Sequence, residues 1–223
     1  MKTIIAIAML FLVGMTSRAE TVTTNWTANF ANSGVVLDGN LTGWSDTRTI
    51  DGVAGTIADV HVSLTLSGGN NGDLYAYLEH SSGFSVLLNR PGRDTGNPFG
   101  YRDFGGMTVT FADSAINGDI HYYGGTGVPS GTYQPDARNI SPLSSAAALS
   151  LFDRGNNGAW LNSFTNLDVS GTWTLFVADV VGGGSPSTVA DWGLTIDYLN
   201  VPEPSVVALA GLGLALGLAR RRS

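Results

Sequence analysis

The chain has no cysteine and a single lysine, Lys2. Without cysteine there is no disulfide framework, no thiol nucleophile and no thiolate metal ligand. Histidine is almost as scarce, with only His61, His80 and His121. None of the three sits in a His-x-x-x-His or His-Glu spacing, so the usual zinc signatures are missing. No Gly-x-Ser-x-Gly elbow is present, and no glycine-rich run leads into Lys-Ser/Thr, which excludes a hydrolase elbow and a phosphate loop. Positive charge is also sparse away from the termini. Residues 20–203 hold six Arg and no Lys against eighteen Asp and Glu, a formal charge of −12. Such a surface does not attract nucleic acid or an anionic membrane, so no nucleic-acid partner is expected.

Apolar runs occur only at the two ends. At the start, Lys2 is followed by the run Ile4 to Val13 and then by Ser17-Arg18-Ala19, which has small residues at both cleavage-site positions. This order describes a secretory signal peptide spanning residues 1–19, cut after Ala19. At the other end, Val201-Pro202-Glu203-Pro204-Ser205 precedes the uncharged stretch Val206 to Ala219, and Arg220-Arg221-Arg222-Ser223 closes the chain. The prolines resist helix and separate a globular part from the tail. The apolar stretch enters hydrocarbon only as a helix, and the arginines hold its end on the cytoplasmic side. Its 14 residues reach roughly 21 Å, short of a hydrocarbon core of about 30 Å. A processed signal fits that length better than a permanent span does.

The ordered triplet of Pro-Glu-Pro, short apolar helix and terminal arginines in residues 200–223 resembles the PEP-CTERM sorting signal of Gram-negative bacteria. The resemblance implies transient passage through the inner membrane and recognition by an exosortase, which cuts near Val201, Pro202, Glu203 and Pro204. It also implies delivery to the cell surface or extracellular matrix. A plain C-terminal anchor is the alternative.

Between the ends, thirty glycines in the chain and few helix formers point to strands. Val60, Val62, Leu64 and Leu66 alternate with polar neighbours, as do Leu74, Ala76 and Leu78. So do Met107, Val109 and Phe111, then Trp173, Leu175 and Val177, then Trp192, Leu194, Ile196 and Tyr198. Gly/Asn-rich turns such as Ser67–Gly72 lie between them. This pattern predicts one all-β domain, an antiparallel jelly-roll-like sandwich, with residues 20–49 as a lead-in strand and 50–199 as the sandwich. Ser144 to Phe152 is the one stretch with helical composition, and residues 124–170 read as loops decorating one end.

The order of these strands resembles a P domain (P/Homo B). Its first half corresponds to Ile57–Val62, Gly72–Leu78 and Ser85–Leu88. Its second half corresponds to Thr110–Ala115, Gly131–Pro135, Gly171–Asp179 and Ala190–Ile196. The chain departs from that pattern at 136–170, where extra residues such as Asp153–Gly158 intervene. The resemblance implies a non-catalytic sandwich of the kind that follows the catalytic domain of subtilisin-like proprotein convertases, stabilises its neighbour and often binds calcium.

Fifteen of the eighteen acids in 20–203 are Asp, a residue suited to turns and to cation sites built of oxygen. Calcium is therefore the expected cofactor. The candidate ligands are Asp73, Asp113, Asp179 and Asp191 at strand edges, with Asp103 behind them, and Asp73 and Asp179 are expected to share a site. The alternative is that these side chains cap turns. The histidines read as scattered surface groups, so no catalytic residue is assigned. Tyr75, Tyr77, Tyr101, Tyr122, Tyr123 and Tyr133 are either a glycan platform or sandwich filling. The combined expectation is an exported, non-enzymatic protein with a structural or adhesive role in exopolysaccharide or biofilm. Two rivals remain: an accessory module for a separately encoded secreted serine protease, and a glycan-binding, lectin-like protein.

Overall fold

A computed structural model describes residues 17–143 and 147–200. The signal-peptide run, the Pro-Glu-Pro motif, the apolar tail with its expected helix, and Arg220, Arg221 and Arg222 lie outside the described residues. No helix among the described residues is long and apolar enough to cross a membrane.

Ten strands form two sheets. They are β1 (Arg18–Trp26), β2 (Val35–Val36), β3 (Trp44–Ile50), β4 (Gly55–Gly68), β5 (Leu74–His80), β6 (Gly83–Asn89), β7 (Met107–Phe111), β8 (Ser130–Tyr133), β9 (Gly171–Asp179) and β10 (Ser187–Asn200). One sheet runs β1-β10-β4-β7-β8, with β2 added to β10, and the other runs β3-β9-β5-β6. The fold is thus an all-β sandwich, as the alternation predicts. Every pair is antiparallel except β7 with β8. A parallel pair needs a crossover connection, and the segment from Ala112 to Pro129 supplies it.

The core lies where the alternating faces meet. Val60, Val62, Leu64 and Leu66 of β4 are buried, as are Leu74, Ala76 and Leu78 of β5 and the apolar faces of β7, β9 and β10. Trp173 and Trp192 are fully enclosed. Burying such rings contributes more than any other residue type can, roughly 25 cal/mol for each Å² removed from water. Strands β1 and β3 are integral to the two sheets, so the sandwich takes in the lead-in segment and begins well before residue 50. Close packing at the sheet margin depends on glycine at two points. A Cβ at Gly106 (φ 77°) would stand 2.0 Å from the Leu66 carbonyl oxygen, and one at Gly83 would meet the Phe164 ring at 2.3 Å.

Two expectations differ from the structure. Within 144–152 the described part is a single 3-10 turn, Leu149–Phe152, with extended backbone at Ala148. Residues 124–170 also do more than decorate one end. Leu161, Phe164 and Val169 enter the main core, with Phe164 5.2 Å from Trp173. The same segment covers the free edge of β6: Asp136 and Ala137 donate N–H bonds to Leu87 and Val86, and Val86 donates to the Ala159 carbonyl. Covering an edge satisfies its unpaired backbone groups and blocks association with another chain.

Candidate functional site

The end of β9 and the start of β5 bring Asp179 opposite Leu74, placing Asp73 beside Asp179. The Val180 amide donates to the Asp73 carbonyl at 2.8 Å and locks the two ends together. A third carboxylate, Asp38, approaches from the segment after β2 and accepts the amides of Gly183 and Gly184 at 2.8–3.1 Å. Asn70 closes the corner: its amide donates to Asp73 Oδ2 at 3.1 Å. Its carbonyl oxygen is buried without a partner. Gly184 marks where the groups converge, since a Cβ there would lie 3.2 Å from both Asn70 Nδ2 and Asp38 Oδ1.

The electrostatics of this corner are unfavourable for anions. Burial, followed by the like charges of Asp73 and Asp38, pushes the Asp179 carboxyl up to about 6, although the Val181 amide bond opposes the shift. Asp73 is raised as well, first by burial, with Asn70 and Arg90 pulling the other way. Arg90 gives partial compensation only, at 3.5 Å from Asp73 Oδ1. Burial and the neighbouring Arg93 lower Arg90 to about 10.

Next to this corner opens a cavity of about 360 Å³. Asp73, Asn70 and Arg90 line it, Phe99, Arg102 and Phe104 border it, and the glycines 182–184 close one side. Phe99 is 62 % exposed and Phe104 65 %, and the Arg102 guanidinium rests 5.0 Å from the Phe99 ring.

The five sequence-predicted aspartates do not share one site. Asp73 and Asp179 come together. Asp103 lies in the segment before β7 and accepts from Tyr123 Oη (2.6 Å) and Asn71 Nδ2 (2.9 Å). Asp113 lies past the opposite end of β7, where its two oxygens accept the Leu161 and Asn162 amides at 3.1 and 2.8 Å. Asp191 sits on β10 at a bulge, paired with Thr65. Among the described residues no three His, Asp or Glu side chains form a ready-made metal cluster. Sequence reasoning missed Asn70, which caps the turn leading into Asp73, and Asp38, which reaches the corner from a loop distant in the chain. Their only signal was membership in turn-rich segments.

The tyrosines do not form one platform either. Tyr75 is buried, Tyr77 stacks on Phe176 at 4.7 Å, and Tyr101 packs edge-on to Tyr123.

The histidine expectation needs correction, because only His61 lies toward solvent. His80 is buried and stacks on Trp173 at 3.9 Å, with its ring nitrogens 2.9 and 2.7 Å from the Thr172 and Asp168 carbonyls. His121 is fully buried, 2.6 Å from Asp136 and 2.8 Å from the Arg93 carbonyl. Backbone acceptors supplied by distant loops made this burial possible. The His121–Asp136 pair matches two members of a hydrolytic triad, but the far ring nitrogen faces a carbonyl where a nucleophilic hydroxyl would stand. Arg138 completes this network, contacting Asp119 at 3.0 Å and Asp136 at 2.9 Å.

Comparison with known proteins agrees at the C-terminus. Residues 200–223 match the PEP-CTERM protein-sorting motif. No curated protein matches the chain. Among solved structures, the chain is similar to the complex of the Aeromonas sobria serine protease with its chaperone (ORF2), at 14 % identity and a TM-score of 0.47. That match covers 82 % of this chain and 27 % of the other. It is also similar to the Aeromonas sobria serine protease alone, at 14 % identity and a TM-score of 0.45, with 81 % and 27 % covered. The chain therefore spans about a quarter of the length of the solved chains it matches.

Proposed function

We propose that this is an exported, non-enzymatic protein of the cell surface or extracellular matrix, delivered through exosortase processing of its C-terminal signal. The match of residues 200–223 to the PEP-CTERM sorting motif carries this reading. The P-domain-like order of strand blocks supports a structural or adhesive role for the sandwich, and the enclosure of His80 and His121 by protein acceptors supports the absence of catalysis. Intact mass of the protein recovered from membrane and medium fractions of its native host tests the reading. Loss of the residues beyond Pro202–Pro204, with the product outside the cell, is the expected result. A full-length tail in the inner membrane would refute it. Co-purification with a secreted protease would favour the accessory-module reading instead.

Calcium is proposed for the Asp73–Asp179 corner alone. The donors there are hard oxygens, and the orphaned Asn70 carbonyl oxygen fits a group that accepts from oxygen. Asp73 and Asp179, with the Asn70 side-chain oxygen, would hold the ion, which would neutralise the repulsion between the two carboxylates and tie the β5 and β9 ends together. A calcium titration of chelator-treated protein, read by melting temperature, should show a saturable rise. A flat response would exclude the ion.

A further inference from the structure

We infer that the cavity beside the aspartate corner is a binding site for an uncharged saccharide. Three observations favour this over other ligands. The cavity is concave and about 360 Å³, within the usual range of about 300–1,000 Å³ for small-molecule sites. Its floor carries polar groups of both kinds: the Asp73 carboxylate and Asn70 amide beside the Arg90 guanidinium. Neighbouring hydroxyls on a sugar ring need such alternating acceptors and donors. Its rim carries Phe99 and Phe104, large apolar rings left open to solvent, which is where the flat C–H face of a sugar stacks.

Charge excludes the nearest competitors. Within the cavity Asp73 faces Arg90 and Arg102, Asp38 and Asp179 stand behind Asp73, and the 20–203 region carries −12, so an anionic ligand approaches through a repulsive field. A compact cation inside the cavity would meet the Arg90 and Arg102 guanidiniums that line it, whereas the ion proposed above sits toward Asp179, which does not line the cavity. An apolar peptide side chain would leave the remaining hydrogen-bonding capacity of Asp73 and Arg90 unmet. A neutral polyol satisfies those groups while stacking on the rings. The assignment deepens the adhesive reading by giving it a ligand class. It depends on that reading only for where the ligand is met.

The test is a solid-phase array of neutral gluco-, galacto- and manno-configured oligosaccharides, probed with the protein recovered from its host and followed by titration calorimetry of any hit. Saturable binding to at least one of these is expected. Phe104→Ala and Phe99→Ala, both at exposed positions, should keep the wild-type melting temperature and weaken binding about tenfold, which corresponds to about 1.4 kcal/mol. Three outcomes overturn the inference: no neutral glycan binds, binding survives both substitutions unchanged, or the cavity variants lose affinity for an acidic glycan or a peptide instead. Because the array uses purified protein, a negative result is distinct from failure of the sorting reading, which intact mass decides by itself.

Discussion

The paired sheets and the segment that wraps their β6 edge are stabilised by different means. In the sheets, buried faces are mainly apolar, from Val60–Leu66 on β4 to Trp192–Tyr198 on β10, with single polar insertions such as Asp46, His80 and Asn89. In the wrap, from Ala112 to Ser170, the buried groups include the Asp136–Arg138 ion pair, with His121 hydrogen-bonded to Asp136 and Asp119 at its border. Burial alone would lower the Arg138 value, but Asp136 and Asp119 more than offset it and raise it. Apolar alternation tolerates small changes of shape, whereas a buried charge tolerates no missing partner. The sheets therefore define the fold, and the wrap holds one unique arrangement of loops over its edge.

The sharpest way to break that contrast is Arg138→Met. It leaves the fully buried Asp136 and the mostly buried Asp119 without their cation, at a cost of about 3–5 kcal/mol. Hydrogen exchange should accelerate first in residues 112–170, with β4 and β10 amides staying protected. Equal acceleration in both would show that wrap and sheets unfold as one unit.

Leu64→Ala in the sheet core should cost about 2–5 kcal/mol, and here protection should fall everywhere at once. Chemical denaturation with exchange by mass spectrometry distinguishes the two patterns.

The smallest effect concerns the aspartate corner between the sheets' ends. The folded Asp179 value of about 6 stands above the unfolded 3.8, so the folded state holds the proton more tightly. Calcium-free stability should thus be greatest at or below about pH 4 from this group and decline as pH rises to about 6. Asp179→Asn keeps an acceptor for the Val181 amide and removes the charge. It should flatten that decline and raise stability at pH 7 by on the order of 1–3 kcal/mol. Wild-type-like pH dependence in the variant would assign the decline to other groups.

Legibility in the sequence followed the same division. The strand faces were readable because a period of two survives any tertiary context that buries one side of a sheet. That Asp73 and Asp179 stand side by side was readable only in part, from the positions of Asp73 just before β5 and Asp179 at the end of β9. The burial of His80 and His121 was not readable. It depends on the carbonyls of Asp168, Thr172 and Arg93, groups that every residue has and that no side-chain pattern reveals. Asp113 looked like a ligand because it follows a strand, yet its oxygens are used by the Leu161 and Asn162 amides of a loop nearly fifty residues away.

By itself the sequence determined the class of fold, the strand faces that meet in the core, the acidity of the domain and the sorting motif at its end. These are local or compositional properties, set by residue type and spacing along the chain. Tertiary structure alone decided the parallel β7–β8 pair, the covering of β6 by residues 136–159, and the meeting of Asp38 with Asp73 and Asp179. Each joins loops whose mutual distance is fixed only when the two sheets pack, because turns carry no periodicity that specifies a distant partner.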